Sequence, residues 1–249
     1  MTEFAESLKS WRKLRRYSQL DLASEAAVSG RHLAFLETGR ARPSRGMVLR
    51  LSDALQLPLD ARNQLLTRAG FAAKYGDHSW TDAEMAPIRL AVERTLKNHM
   101  PYPGLAVDRL WLIVQTNRTA EVLYGQFGIG VGDSLVELMM SDVPPNLVEN
   151  WPEVAQAVAA RLRVESLSQG GVPEFDRASA HLAQFDAQSG RAKNPVIPTI
   201  ISVGDLRLSM FATIAQMGTP EDVMLDDLKI ELYFPMDNET VAAFEAMSE

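Results

Sequence analysis

Two short amphipathic segments follow each other almost without a gap in the stretch YSQLDLASEAAVSGRHLAFLETGR, residues 17–40. The pattern S-x-x-D at Ser18 resembles a capping box, which begins a helix by satisfying the backbone N–H groups of its first turn. Val28 and Leu33, on either side of Ser29, have the spacing of a hydrophobic staple, which begins a second helix. Gly39 supplies a stop for that helix. The stretch therefore predicts two helices joined by a tight turn, a helix-turn-helix.

Helical periodicity continues on both sides of this pair. Apolar residues recur at helical spacing over 4–15, among four basic residues, and a fifth, Arg16, follows. Pro43-Ser44 begins a fourth predicted helix, and Asp60 caps a fifth that ends near Gly70. The sequence therefore predicts a bundle of five short helices in about the first seventy residues.

Several residues of this bundle carry a resemblance to a known class. Ser18-Gln19 opens the second helix, Ala23 lies within it, Val28-Ser29 lies at the turn, and FLETGRARPS follows. Over roughly residues 5–70 the chain resembles the Cro and phage-repressor class of helix-turn-helix domains, often called the XRE family. The resemblance implies binding to double-stranded DNA.

A recognition helix of this kind presents its N-terminal residues to base edges in the major groove. Base contacts are expected from Arg31, to guanine, and from Phe35, to a thymine methyl group, with Gly30 and Ala34 on the same face and His32 near phosphate. The resemblance places Gln19 on phosphate, and the residues that follow the third helix meet the backbone: Arg40, Arg42, Ser44 and Arg45. The alternatives are that Arg31 is only solvated and that Phe35 packs against the first helix. Related motifs in antitoxins bind a partner protein.

Charge is divided unevenly along the chain. Residues 1–76 carry thirteen Lys and Arg against seven Asp and Glu, whereas residues 77–249 carry twelve against twenty-five. The first part is thus basic, at +6, although the whole chain has a net charge of −7. This asymmetry is expected when only the first part meets a polyanion. Uneven surface solvation is the alternative.

The second part of the chain has a mixed pattern. YGDHSWTD (75–82) breaks the helical period, and a connecting helix is predicted from Asp82 to about Asn98. The remaining predicted elements are strands over 105–107 and 110–116, helices over 117–125, 134–140, 147–168 and 174–185, and strands over 195–203, 206–217 and 228–235, with a hairpin turn at Gly204-Asp205. The order indicates an α+β domain with helices on one face of an antiparallel sheet.

The stretch DRLWLIVQTNRTAEVLYG is similar to the strand–strand–helix opening of a PAS fold, in which an Asn begins the helix. Together with LLTRAGFAAKY and the closing strands, it makes the chain resemble the MmyB-like regulators. That resemblance implies a PAS-like C-terminal domain that binds a fatty acid or a similar apolar ligand. The expected domains are a helix-turn-helix over 1–75, a linker and connecting helix over 76–100, and the ligand domain over 101–249.

No pattern of catalysis or cofactor binding is present in the sequence. There is no cysteine, and the four histidines are scattered without metal-ligand spacing. The glycine-rich segment GQFGIGVGD (125–133) does not follow a strand in a βαβ unit, so it is interpreted as a loop. The sequence predicts a non-enzyme without cofactor or metal.

Large, flexible apolar side chains are the candidates for a ligand pocket, because methionine adapts to irregular ligands. The expected lining residues are Leu135, Leu138, Met139, Trp151, Met210, Phe211 and Ile214, with Arg161 as a cation for an acidic head group. An ordinary packed core is the alternative for each of them. No segment has the length and apolarity of a membrane span or an export signal. We therefore expect a cytoplasmic, homodimeric regulator that binds an inverted-repeat operator and an apolar acid; the alternative is that the second domain binds a protein partner.

Overall fold

The computed structural model describes residues 2–186, 195–204 and 206–249. They form two compact units. The first contains the described residues up to Asp77 together with 165–172 and 221–226, and the second contains the rest of the described chain.

The first unit is built from five helices in its N-terminal part, as the periodicity predicts. They are α1 (Glu3–Leu14), α2 (Gln19–Glu25), α3 (Gly30–Glu37), α4 (Arg45–Ala54) and α5 (Leu59–Arg68). Each contributes apolar residues to one core, including the fully buried Leu8, Leu22, Leu33, Leu51 and Leu65. The predicted five-helix bundle is therefore confirmed.

Side-chain caps begin the two central helices where the sequence places them. The Ser18 hydroxyl accepts from the Asp21 N–H, and the Asp21 carboxylate accepts from the Ser18 N–H in return. Ser29 caps α3 by accepting from the His32 N–H at 3.2 Å. Ala27 lies between the helices with a φ of 51°. This left-handed conformation reverses the chain in very few residues.

Two later segments of the chain pack into the first unit. The Arg15 guanidinium donates to the backbone carbonyls of Leu167 and Ser168, at 3.3 and 2.9 Å. The Asp226 carboxylate accepts from the Leu59 N–H at 2.8 Å, at the start of α5. The sequence patterns do not predict these contacts, because they join residues that lie about 150 positions apart or more.

The second unit combines helices with strands. A 3-10 turn (Ala83–Met85) precedes α6 (Ala86–Asn98), β1 (Gly104–Val107), β2 (Ile113–Thr116), α7 (Arg118–Gly125), α8 (Leu135–Met140), α9 (Val143–Leu147), α10 (Trp151–Gln169), α11 (Pro173–Leu182), β3 (Thr199–Val203), β4 (Leu206–Gln216), α12 (Val223–Asp226), β5 (Lys229–Pro235) and α13 (Asn238–Ser248). The last residues of α10, and α12, belong to the first unit.

The five strands of the described chain form one antiparallel sheet in the order β2-β1-β5-β4-β3. Asn117, between β2 and α7, joins three of the surrounding elements. Its Oδ1 accepts from the Gly104 and Ala120 N–H groups, and its Nδ2 donates to the carbonyls of Leu96 and Tyr102. The predicted combination of a helical bundle with an antiparallel sheet domain is confirmed.

Several predicted boundaries differ from the observed ones. The helix expected from Asp82 begins with a 3-10 turn, and α6 starts at Ala86 with Pro87 in its first turn. The second strand, expected from residue 110, begins at 113. The residues just before it form a turn, because the Asp108 carboxylate accepts from the Leu110 and Leu112 N–H groups. Trp111, within this turn, has a φ of 62°.

The later boundaries shift for similar local reasons. The helix expected from residue 147 begins at Trp151, because Val148 is extended and pairs with Ile201. The strand expected from 195 begins after Pro198, which has no N–H for the ladder. The helix expected to reach 185 ends at Leu182. The hairpin turn at Gly204-Asp205 includes a residue outside the described ones. No helix is predicted after the last strand, whereas α13 is present there.

Candidate DNA-binding surface and ligand cavity

The helix α3 has one buried and one open side. Leu33 and Leu36 are fully buried in the bundle core. Gly30 and Arg31 are exposed at the N-terminal end, and a Cβ atom on Gly30 would meet no other atom within 4 Å. The Arg31 guanidinium lies over the Phe35 ring, 5.4 Å from its centroid. A cation and an aromatic ring therefore lie together beside an unobstructed stretch of backbone.

The other predicted DNA contacts also lie where solvent reaches them. Ala34, His32 and Phe35 are half-buried on α3. Gln19 begins α2, and Ser44 caps α4 by accepting from the Met47 N–H at 3.2 Å. The exposed residues among the predicted backbone contacts are Gln19, Arg40, Arg42, Ser44 and Arg45.

A buried ionic network lies at the end of α3. The Glu37 carboxylate accepts from Arg12 Nε at 2.6 Å, Arg12 Nη2 at 2.9 Å and Gln19 Nε2 at 2.7 Å. Burial by itself would raise the pKa of Glu37, but the hydrogen bonds from Arg12 and Gln19 and the charges of Arg12 and Lys9 outweigh it and lower that pKa. Glu37 thus fixes the side chain of Gln19 at the start of α2. The sequence prediction missed this role, although a carboxylate among leucines is a signal for a buried partner.

The second unit contains an apolar cavity of about 190 Å³ between the sheet and its helices. The described residues that line it are mostly apolar: Trp111, Leu123, Phe127, Leu135, Leu138, Met139, Val143, Pro144, Leu147, Val148, Trp151, Val154, Val158, Ile201, Met210 and Ala212, with Tyr124, Arg161, Thr199, Glu231 and Tyr233 as polar members.

The polar members form a connected chain at one part of the wall. Tyr124 donates to the Tyr233 hydroxyl at 2.7 Å, and Tyr233 donates to Glu231 Oε2 at 3.0 Å. Arg161 donates to Glu231 Oε1 at 2.7 Å, and its guanidinium lies 4.1 Å from the centroid of the Trp111 ring. Burial raises the pKa of both tyrosines, so their hydroxyls stay protonated donors at neutral pH.

One face of α10 forms a long side of the cavity. Trp151, Val154, Val158 and Arg161 line it, at the spacing of a single helix face. With a rise of ~1.5 Å per residue, the backbones of Trp151 and Arg161 are about 15 Å apart along the axis. The Trp151 side chain is buried, and its indole Nε1 has no hydrogen-bond partner among the described residues.

Six of the predicted ligand residues line this cavity: Leu135, Leu138, Met139, Trp151, Arg161 and Met210. Phe211 follows Met210 on β4, so it faces the other side of the sheet, where it stacks on Phe234 at 5.6 Å. Ile214 is 46% exposed and lies outside the cavity wall. The prediction missed Trp111, Tyr124, Glu231 and Tyr233, because only strand register and long-range packing bring them together.

Among the described residues, no group of three or more His, Asp or Glu side chains could hold a metal ion. Within the same residues, no helix combines the length and apolarity needed to cross a membrane.

A helix-turn-helix bundle followed by a domain with an apolar cavity defines a DNA-binding protein with a second, ligand-binding part. Residues 3–65 match the family model of a helix-turn-helix domain, and residues 88–247 match that of the MmyB-like transcription regulator ligand binding domain. No curated protein matches the chain. The second match covers well over half of the sequence, so the chain belongs to the MmyB-like transcription regulators: it is a DNA-binding transcriptional regulator with a ligand-binding domain.

Proposed function

We propose that an apolar small molecule of the fatty-acid type occupies the cavity and changes the affinity of the regulator for its operator. The cavity carries this proposal, because its wall is largely apolar and its few polar groups are clustered, as in small-molecule sites generally. The protein would act by binding and not by catalysis, and in the cytoplasm, where such a regulator meets DNA.

The size of the cavity favours a compact ligand. A dry cavity of ~150 Å³ holds one benzene molecule, and this cavity measures about 190 Å³. A medium acyl chain therefore fits this conformation better than a long one. Met139 in the wall can adapt to chains of different shape.

On the DNA side, we propose that α3 reads bases through Arg31 and Phe35 while Gln19, His32, Arg40, Arg42, Ser44 and Arg45 contact the backbone. The eight residues of α3 span only ~12 Å, which covers few base pairs. A symmetric dimer on an inverted repeat would double the number of base pairs contacted.

A thermal-shift series on the full chain tests the ligand proposal. Fatty acids of six to sixteen carbons and their primary amides would each be added at increasing concentration. A ligand that binds only the folded state stabilises it by about 2.7 kcal/mol at a hundred times its dissociation constant. If no chain length in either series raises the melting temperature, and denatured protein releases no lipid, the small-molecule proposal fails. The second domain would then have a protein partner.

A further inference from the structure

We propose that the second half of β4 is the surface at which two copies of the chain join their sheets into one. The strand β4 has eleven residues, and β3 pairs with only the first five of them, 206–210. Residues 211–216, which we call the open edge, pair with β5 on one side and with no strand on the other among the described residues. This inference rests on the proposed two-fold arrangement and supplies the contact between the two copies.

The open edge presents backbone groups to which a further strand can bind. In an antiparallel ladder the N–H and C=O groups of successive residues point to opposite sides, so about half of those of the open edge point away from β5. Residues 212–216 are all exposed, and Ile214 among them is 46% exposed. Water or a partner strand therefore has to satisfy these backbone groups.

The two outermost strands of the sheet are covered where the open edge is not. On β3, the Ile200 carbonyl accepts from the Glu149 N–H at 2.8 Å, and the Ile200 N–H donates to Asn150 Oδ1 at 3.1 Å. On β2, the Ile113 N–H donates to the Asp133 carbonyl at 2.9 Å. Proteins usually protect edges by covers of this kind, or by charges, prolines or bulges, because a bare edge pairs with other chains.

The open edge lacks those other protections as well. Its sequence, FATIAQ, contains no charged residue and no proline, and its register with β5 runs without a bulge. Aromatic and β-branched side chains such as Phe211, Thr213 and Ile214 favour strands. The edge lies within thirteen consecutive residues, 208–220, that carry no charge. This segment therefore has the composition of a strand that pairs with a partner.

A second copy of the chain is the partner that fits this surface. Residues 77–249 carry twelve Lys and Arg against twenty-five Asp and Glu, so the second units of two copies repel each other overall. Contact through a segment without charge keeps that repulsion small. Two identical edges are also self-complementary when antiparallel. A two-fold axis near Thr213 and Ile214 brings the free N–H groups of each copy to the free carbonyls of the other.

Single cysteines in the full chain test this contact, because the chain contains no cysteine of its own. Thr213→Cys and Ile214→Cys each place a thiol near the axis, where residues opposite one another have Cβ atoms ~5 Å apart. A short thiol-to-thiol cross-linker, with operator present, should therefore give a covalent dimer for at least one of them.

Val131→Cys is the control for cross-linking. Val131 is 64% exposed and precedes the segment that covers β2, which is separated from β4 by two strands. This variant should remain a single chain on a denaturing gel. Absence of a covalent dimer for both edge variants, or an equal yield for Val131→Cys, would overturn the inference.

Ile214→Lys tests the same contact by repulsion, since it places like charges close together near the axis. The dissociation constant of the dimer, measured by sedimentation of the full chain, should rise about tenfold or more. Val131→Lys should leave it unchanged. Both positions are exposed, so neither variant should lower the melting temperature appreciably. Ile214→Lys should also weaken binding to the inverted repeat but not to a single half-site.

The outcomes separate this inference from the proposed function. A dimer that withstands Ile214→Lys would show that the copies meet elsewhere, which overturns the open edge as the contact and leaves the regulator dimeric. An unmodified chain that stays monomeric at every concentration and on the operator would overturn the two-fold arrangement itself.

Discussion

At the scale of single residues, Glu37 is a carboxylate buried within the helix-turn-helix bundle. Its side chain is 1% exposed and that of Arg12 is 11% exposed. Arg12→Ala would leave Glu37 buried without its cation, which costs about 3–5 kcal/mol of unfolding free energy. Asp53→Ala is the control, because Asp53 pairs with Arg62 but is 64% exposed, so its loss should cost less than about 1 kcal/mol.

The destabilisation by Arg12→Ala should depend on pH, which denaturant titration at several pH values would measure. Because Arg12 and Gln19 lower the pKa of Glu37, the network contributes its full stability above the unfolded pKa, about 4.3. That stability is lost as the pH falls through the lower, folded pKa. The difference in unfolding free energy between Arg12→Ala and the unmodified protein should therefore become smaller in acid. A gap that stays the same from pH 7 to pH 3 would show that the charge of Glu37 is unimportant.

Arg31 and Arg42 should differ in what they do to DNA binding. Arg31→Ala should change the preference at one base position and cost about 1–3 kcal/mol on the best operator. Arg42→Ala should weaken binding to all sequences alike and reduce the salt slope by about 0.9. Site selection followed by titration at several salt concentrations measures both effects. The same consensus for Arg31→Ala, or an unchanged slope for Arg42→Ala, would contradict the assigned contact.

At the scale of elements, two adjacent glycines after α10 provide a matched test of packing within the first unit. Both have positive φ, +94° at Gly170 and +102° at Gly171. A Cβ atom on Gly170 would lie 2.6 Å from two ring atoms of Trp11, whereas one on Gly171 would meet nothing within 4 Å. Both alanine variants bear the backbone strain, but only Gly170→Ala also displaces the indole. Gly170→Ala should lower the stability further, by about 1–3 kcal/mol. Equal melting temperatures would mean that Trp11 moves aside freely.

The sequence predicts local elements well and long-range contacts poorly. Ser18 and Ser29 start their helices through neighbours three residues away, so their patterns suffice to predict the bundle. Most helices and strands of the second unit also follow from periodicity, but α9 and α13 were not predicted. The pairing of Arg161 with Glu231 joins residues 70 positions apart, and no local pattern contains that information.

The ligand cavity shows the same limit. Met210 and Phe211 are similar in size and apolarity. Because successive side chains of a strand point to opposite faces, Met210 lines the cavity and Phe211 lies on the opposite face of the sheet. Which of the two faces inward depends on how β4 pairs with β5, and that register was not deducible from composition.

At the scale of the whole molecule, we expect the complex of the protein with DNA to be two-fold symmetric. We expect two copies of the chain on an inverted repeat whose half-site centres lie about one helical turn apart, or a multiple of it. Sedimentation of the protein with a selected operator, together with footprinting, would show two chains and two protected half-sites. One chain on a single unrepeated site would refute the dimeric arrangement.

We expect the affinity for the operator to depend on whether the cavity is occupied. This dependence requires a ligand that prefers one arrangement of the regulator, since a ligand with no preference shifts nothing. Val158→Phe fills the cavity wall on α10, and Val164→Phe is its control, because Val164 is 67% exposed and outside the wall. Both variants should keep their helical bundle and bind the operator when no ligand is present.

The most direct measurement is the dissociation constant for the operator at fixed salt, with and without the most stabilising acid or amide. For the unmodified protein and Val164→Phe we expect a change of at least about fivefold, matched by an equal change of ligand affinity when DNA is present. For Val158→Phe the ligand should have no effect. An operator dissociation constant that stays the same in the unmodified protein while the ligand demonstrably binds would show that the cavity does not control DNA binding.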